Sequence, residues 1–441
     1  MSLAHDEQLQ ASNGTAQGTL VVRCMSCGAT FTATGSISSC PECGALLDAV
    51  ITPTGALTRE TIGTGASRHL QKSGVWRYRH LLPDIPDAAV VTRGEGNTPV
   101  YTDERVARYA GISSFGLKHE GQNPTASFKD RGMTVGVSHA VSVGAKIVAC
   151  ASTGNTSASL ASYAAAAQLA ALVLIPEGKI SAGKLSQTIA HGARVVQVEG
   201  DFDAALKLLR ELTEQYPVYL VNSVNPFRLE GQKTTIFEMF EQLEWELPDV
   251  IALPGGNLGN TAAFGKALIE LKEFGLIDHV PRLVTVQAAG AAPFYNYFES
   301  GFDRYEPVQA ETIATAIKIG NPASIERARR SIQFTDGLVA SVTDDEILDA
   351  KAVIDAAGIG CEPASAATLA GVRKLVQQGA LPAETNAVGI LTGHVLKDAE
   401  AVVRYHLEDV DGAARSMANR PVSIPATMKA LEQVLDDALH G

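Results

Sequence analysis

The chain has 441 residues, 46 % apolar and 19 % charged, which is enough for two or three domains with large cores and excludes general disorder. Its 36 basic and 48 acidic residues leave a net charge of −12, without any Lys/Arg cluster, so non-specific nucleic-acid binding is excluded. An anionic substrate would need a local basic pocket. No apolar run reaches membrane-spanning length; the longest, 159–176, is interrupted by Tyr163 and Gln168.

Residues 1–19 are polar, lack Lys and Arg, and read as a disordered leader rather than a signal or transit peptide. Four of the six cysteines follow in the pattern Cys24-x2-Cys27-x12-Cys40-x2-Cys43, in two knuckles, CMSCG and CPECG. Gly28 and Gly44 let backbone amides turn toward thiolates, and two facing knuckles make an S4 cage. A zinc ribbon over 20–50 is expected; disulfides and iron are the alternatives. Arg23 is its one basic residue, which favours a structural or docking role. Together with the absent targeting segment, the cysteine pattern points to a cytoplasmic protein. Cys150 and Cys361 lie in apolar runs and read as core.

Residues 51–75 are rich in Thr, Gly and Ser and read as a linker, followed by a short helix, WRYRHLLP, which Pro83 stops. From about residue 90, β-branched runs alternate with helical stretches. The strand-like runs are KIVACAS (146–152), LVLIP (172–176), RVVQVEG (194–200), VYLVNS (218–223), DVIALPGG (249–256), RLVTVQA (282–288) and AVGILTG (387–393). Such a pattern predicts an α/β fold with parallel-rich twisted sheets, two of them given the length. In such sheets ligands bind beyond the carboxyl ends of strands.

NPTASFKDRG (123–132) holds Lys129 between Phe128 and Asp130, where apolar surroundings would lower the ammonium pKa, as a Schiff-base lysine requires. ASTGNTSAS (151–159) follows a strand and opens a helix, offering Ser152, Thr153, Asn155 and Thr156 with free backbone N–H groups. It reads equally as an anion site or a capping loop. PGGNLGN (254–260) is a glycine loop before a helix that misses both Walker A and GxGxxG, and suits a phosphate without magnesium. VNSVNPFRLEGQKT (221–234) sets Asn222, Ser223 and Arg228 beyond a strand; alone it reads as a surface loop. LTGHVLKD (391–398) puts Thr392 at a strand end, where a hydroxyl could face a ring nitrogen; His394 reads as packing or surface. Lysine, phosphate loop, carboxylate loop and strand-end hydroxyl together describe a pyridoxal phosphate site.

With IKIGNPAS (317–324) and CEPASAA (361–367), these motifs closely resemble the threonine synthases, of the tryptophan-synthase-β fold group, over roughly residues 90–400. The resemblance implies a large cofactor-binding lobe at 90–126 and 225–430 and a small lobe at 127–224. Lys129 would carry the cofactor, and Gly255, Gly256, Asn257, Leu258, Gly259 and Asn260 would hold its phosphate. Asn155 would meet its 3′ oxygen and Thr392 its ring nitrogen. Ser152, Thr153 and Thr156 would hold the substrate carboxylate. Asn222, Ser223, Arg228 and Lys184 would hold the phosphate of O-phospho-L-homoserine, which water and elimination convert to L-threonine. Glu362 would be structural or flank the cofactor. A homodimer is expected. Two departures stand out: Ala126 where glycine is common, expected to be tolerated, and Ile325 where the family often has Trp. A threonine/serine dehydratase or a cysteate synthase is the alternative within the fold; a binding protein led by its ribbon is the alternative outside it.

Overall fold

The computed structural model describes residues 20–53, 57–177, 182–200, 202–409 and 415–440. The leader 1–19 and the side chain of Lys184 lie outside the described residues. In chain order the elements are β1 (Val21–Cys24), β2 (Thr30–Thr32), β3 (Leu47–Val50), β4 (Val100–Thr102), α1 (Glu104–Ala110), β5 (Ser114–His119), α2 (Lys129–Ser142), β6 (Ile147–Ala151) and α3 (Asn155–Ala166). There follow β7 (Ala170–Pro176), α4 (Ala182–Ala190), β8 (Arg194–Val198), α5 (Phe202–Gln215), β9 (Val218–Leu220), α6 (Pro226–Gln242), β10 (Val250–Pro254), α7 (Gly259–Glu273) and β11 (Arg282–Ala288). The remainder are α8 (Pro293–Glu299), α9 (Ile325–Phe334), β12 (Leu338–Val342), α10 (Asp344–Ala356), α11 (Pro363–Gln377), β13 (Asn386–Leu391), α12 (Ala399–Leu407) and α13 (Met428–His440).

Three sheets result: β2-β1-β3, β12-β11-β10-β13-β5-β4, and β8-β7-β6-β9. The four-stranded sheet is parallel throughout, and the six-stranded one is parallel except for β4. Parallel strands need helical crossovers on both faces, which is why β10 and β6 carry unbroken apolar runs and are buried. All seven strand-like runs of the sequence form strands. Three were not anticipated: β4, β5 and β12. In β5 the cause is visible, since SFGLKH buries Lys118 and His119 at 0 % exposure and does not read as an apolar run.

The three-stranded antiparallel sheet carries the cysteine knuckles and is not a free appendage. Its Val22, Phe31, Ile37 and Leu47 share one core with Trp76, Val135 of α2 and Phe227 of α6. Lys266 of α7 donates to Ala49 O at 2.6 Å, and Arg327 of α9 pairs with Asp48 at 3.0 Å. The segment 51–75, expected to be a linker, buries Ile62, Leu70 and Val75. The short helix expected after it is a 3-10 turn (Trp76–Leu81) with Trp76, Tyr78 and Leu81 fully buried, and Trp76 Nε1 donates to Thr134 Oγ1 at 2.8 Å.

The chain divides into two compact units, 1–398 and 399–441. The second comprises α12 and α13, with Leu431 and Leu435 of α13 exposed. Among the described residues no helix is long and apolar enough to cross a membrane.

Candidate active site

The lysine loop is tied by its backbone to the end of β13. Phe128 N donates to Thr392 O at 3.0 Å, His394 N donates to Ala126 O at 3.1 Å, and Ser127 bridges Gly393. Two motifs more than 260 residues apart in sequence are thereby one structural unit, with Lys129 opening α2 beside Thr392. The loop carries a cost. Ala126 has φ +64°, in the left-handed region that favours glycine, so the alanine is strained by about 1–2 kcal/mol rather than neutral.

Below this loop lies a buried ion network. Arg131 donates to Glu120 at 2.7 and 2.8 Å and to Glu238 at 2.7 Å, and Lys118 donates to the same Glu238 oxygen at 2.6 Å. Two cations meet two carboxylates, all four nearly solvent-free. Arg131 stands two residues beyond Lys129, so the network anchors the first turn of α2 against α6 and β5. Asp130, between them, has no cation bound to it among the described residues. It accepts from Thr125 N, Thr125 Oγ1 and Ser159 Oγ, and burial pushes its carboxyl up to about 6.

Lys129 itself is half-buried, its Nζ 4.1 Å from the centroid of the Phe128 ring. Loss of hydration lowers its pKa to about 7; the Arg228 charge pushes the same way and Glu362 opposes it. A neutral amine is therefore present near pH 7, which is what nucleophilic attack on a carbonyl requires.

Five of the described helices present site motifs at N-termini without any side-chain cap: α2, α3, α7, α9 and α11. Helices α1, α6 and α10 are capped by Asp103, Asn225 and Thr343. The capping alternative for ASTGNTSAS is thus not realised, and the first N–H groups of α3 are open to a ligand. Ser152, Thr153, Asn155 and Thr156 are all partly exposed there.

The glycine loop is held rigid from two sides. Gly255 N donates to Val286 O at 2.7 Å, and a Cβ on Gly255 would stand 2.6 Å from Thr285 Cγ2, so only glycine fits. Asn257 Oδ1 accepts from Ala323 N and Asn257 O from Ser324 N, both at 3.2 Å, joining GGNLGN to IKIGNPAS. Leu258 adopts φ +62° at the N-cap of α7, a strained conformation of the kind that recurs in ligand clamps. Around this loop, buried polar atoms lack a protein partner: both amide atoms of Asn260, Oε1 of Gln232 and the Ser324 hydroxyl. Gln232 Oε1 lies 3.4 Å from where a Cβ of Gly259 would sit. Buried polar groups are paired as a rule, and two of these, Asn260 Nδ2 and the Ser324 hydroxyl, are donors that with the helix N-terminus fit a bound phosphate. Asn257, by contrast, spends its side chain on the loop.

Arg228 lies in α6, not in a surface loop, at 1 % exposure. Its Nη1 donates to Val221 O at 3.3 Å, its Nε has no partner, and no carboxylate pairs with it among the described residues. Burial lowers its pKa to about 10. A buried guanidinium without an acid suits an anionic ligand. Asn222 accepts from Ala151 N at 3.0 Å and donates to Ala151 O at 3.3 Å, fastening the segment after β9 to β6. One N–H of its amide remains, and Ser223 beside it is half-buried.

Glu362 is where sequence reasoning was thinnest. Buried at the N-cap of α11, it accepts from Asn155 Nδ2 and from Thr392 Oγ1, each at 3.1 Å. Its carboxyl is pushed up by burial, and those two hydrogen bonds with the Lys397 and Lys129 charges draw it back. An acid before proline at a helix start was the available signal. The partnerless Ser127 hydroxyl and Gln232 Oε1 had none.

At the ribbon, Cys24, Cys27, Cys40 and Cys43 bring four Sγ atoms within 4.8 Å of one another, with Gly28 and Gly44 at φ +77° and +74° as the knuckles require. Cys150 and Cys361 are fully buried.

Residues 91–393 match the family described as pyridoxal-phosphate dependent enzyme. The threonine synthase of Methanosarcina acetivorans is 45 % identical over 87 % of this chain and 93 % of its own length. That of Methanocaldococcus jannaschii is 41 % identical over 95 % of this chain and all of its own. Among solved structures, serine racemase from Dictyostelium discoideum superposes with TM-score 0.56 at 26 % identity, over 68 % of this chain and 92 % of that one. Threonine deaminase isoform 2 from Solanum lycopersicum gives 0.59 at 21 %, over 82 % and 92 %, and shares the fold. The chain belongs to the pyridoxal-phosphate-dependent enzymes, and within them to the threonine synthase family.

Proposed function

We propose that the chain converts O-phospho-L-homoserine and water to L-threonine and phosphate. The observation that carries this reading is the pairing of two anion-seeking features around one depressed lysine. One is the unpaired polar shell of the glycine loop; the other is Arg228, a buried cation with no acid. A cofactor phosphate and a substrate phosphate would satisfy them.

The donor set fits pyridoxal phosphate: Lys129 for its carbonyl carbon, the loop from Gly255 to Asn260 for its phosphate, Asn155 for its 3′ oxygen and Thr392 for its ring nitrogen. When bound, the group supplies an electron sink that makes the substrate Cα–H acidic. Lys129, whose amine is neutral near pH 7, takes the Cα proton and carries a proton between Cα, Cβ and Cγ. Ser152, Thr153 and Thr156 orient the carboxylate at the open N-terminus of α3. Arg228, with Asn222, Ser223 and Lys184, holds the phosphate that leaves from Cγ with its bonding electrons. The oxygen of water ends on Cβ and Cγ becomes the methyl group, so the sum is water in and phosphate out.

In the same reading the two parallel-rich sheets are the cores of a large lobe (90–126 and 225–430) and a small lobe (127–224) that face each other across the site. The four cysteines hold one structural zinc ion, the enzyme is a homodimer, and it works in the cytoplasm. The test is stoichiometry: O-phospho-L-homoserine should yield threonine and phosphate in equal amounts, with none from Lys129→Ala. A product other than threonine, as from a dehydratase or cysteate synthase, would reject the reading.

A further inference from the structure

Thr392 sits in a chain of hydroxyl and carboxyl groups whose hydrogen-bond directions can be worked out. Ser365 Oγ accepts from Gly393 N at 3.1 Å and lies 3.1 Å from Thr392 Oγ1, where either hydroxyl can be the donor. Thr392 Oγ1 is also 3.1 Å from Glu362 Oε1, and Glu362 Oε2 is 3.1 Å from Asn155 Nδ2. The Glu362 backbone is fixed beside Gly393. Glu362 N donates to Gly393 O at 3.0 Å, and Pro363 follows it at the start of α11.

Two arrangements are possible. An ionised Glu362 only accepts, so Thr392 gives its one hydrogen to Glu362 and can offer a ligand nothing but a lone pair. A neutral Glu362 can donate to Thr392, which frees the Thr392 hydrogen to turn outward. An unprotonated ring nitrogen is therefore hydrogen-bonded by Thr392 in the second arrangement and loses that bond in the first.

We propose that Glu362 is a positioning residue: it fixes the Asn155 and Thr392 side chains together, and its proton decides whether Thr392 offers the site a hydrogen or a lone pair. The proposal rests on the reading that Thr392 faces the cofactor's ring nitrogen. The charged groups around Glu362 are Lys129 from α2 and Lys397 beyond β13. Behind it, the Asp355–Lys351 pair of α10 reaches Cys361 N through Asp355, and His119 of β5 holds Gly360 O at 2.8 Å. His394 follows Gly393 and lies 6.1 Å from His119, ring to ring. No cation is hydrogen-bonded to the Glu362 carboxyl among the described residues, so its proton is not displaced by a direct ion pair. Burial raises its pKa above the ordinary carboxylate range.

The experiment uses holoenzyme carrying pyridoxal phosphate labelled with 15N in the ring, followed by NMR across pH. In the wild type the ring-nitrogen resonance should shift with pH in one step. In Glu362→Gln, whose amide donates to Thr392 at every pH and still accepts from Asn155, that step should be lost and the resonance stay at its low-pH, hydrogen-bonded position. Asn155→Ala should keep the step but move it to higher pH, since a hydrogen bond that favours the ionised carboxyl is lost. A step that persists unchanged in Glu362→Gln overturns the proposal, as does a wild type that shows none. Thr392→Val separates the two ideas: if it leaves the resonance unaltered, Thr392 does not face the ring nitrogen and the underlying reading fails instead.

Discussion

Cutting the buried charge network beneath Lys129 should destabilise the protein more than any single contact at the site. Glu238 receives Lys118 Nζ and Arg131 Nη2 on one oxygen and Asn97 N, at 2.7 Å, on the other. In Glu238→Gln two buried cations face one remaining carboxylate, Glu120. Removing one partner of a buried pair costs about 3–5 kcal/mol, because an uncompensated charge stays in the interior. Lys118→Met leaves the reverse imbalance and should cost a similar amount. The double variant keeps only Arg131 with Glu120, which are matched in charge and bonded twice, so its cost should fall short of the sum by about 2–3 kcal/mol. Burial raises the Glu238 pKa but its two cations outweigh this and hold it at about 2. The sign follows: a depressed carboxylate stabilises above the ordinary carboxylate range, and that contribution is lost as pH falls toward about 2. Urea unfolding of all four proteins at pH 7 measures the cycle. Costs that add to within about 0.5 kcal/mol, or a Glu238→Gln cost below about 1 kcal/mol, would refute the argument.

Ala126→Gly should raise stability by about 0.5–1 kcal/mol, the left-handed strain relieved less the added freedom of glycine in the unfolded chain; a lower urea midpoint would contradict it. Cys24→Ser should lose a metal that the wild type carries at about one per chain, measured by elemental analysis of protein purified without chelator. Absence of metal from the wild type would remove the zinc reading. Arg228→Ala should raise KM for O-phospho-L-homoserine by roughly tenfold or more, as expected for loss of a charge-assisted bond; unchanged kinetics would take Arg228 out of the site.

The architecture was legible where one residue type repeats at one period. VIALP and the VACA stretch of β6 are buried and had to be apolar, so they announced a parallel sheet. Lys129 and GGNLGN were legible because a strand, a turn and a helix start are local. What stayed hidden depends on partners far away in sequence. Glu362 gains its meaning from Asn155, 207 residues earlier, and Thr392, 30 later. Arg131 looks like any helix arginine until Glu238, 107 residues on, turns up beside it. The cost at Ala126 is a matter of one dihedral angle, which composition does not carry. The ribbon announced its cysteines but not its docking, since Lys266 and Arg327 read as ordinary surface charges.

The central claim is that a phosphorylated amino acid is the substrate, and one comparison tests it: steady-state turnover of O-phospho-L-homoserine beside O-phosphoserine, serine and threonine. The account predicts that kcat/KM is highest for O-phospho-L-homoserine, with threonine and phosphate formed together. Faster turnover of any of the other three, or consumption of O-phospho-L-homoserine without threonine, would contradict it.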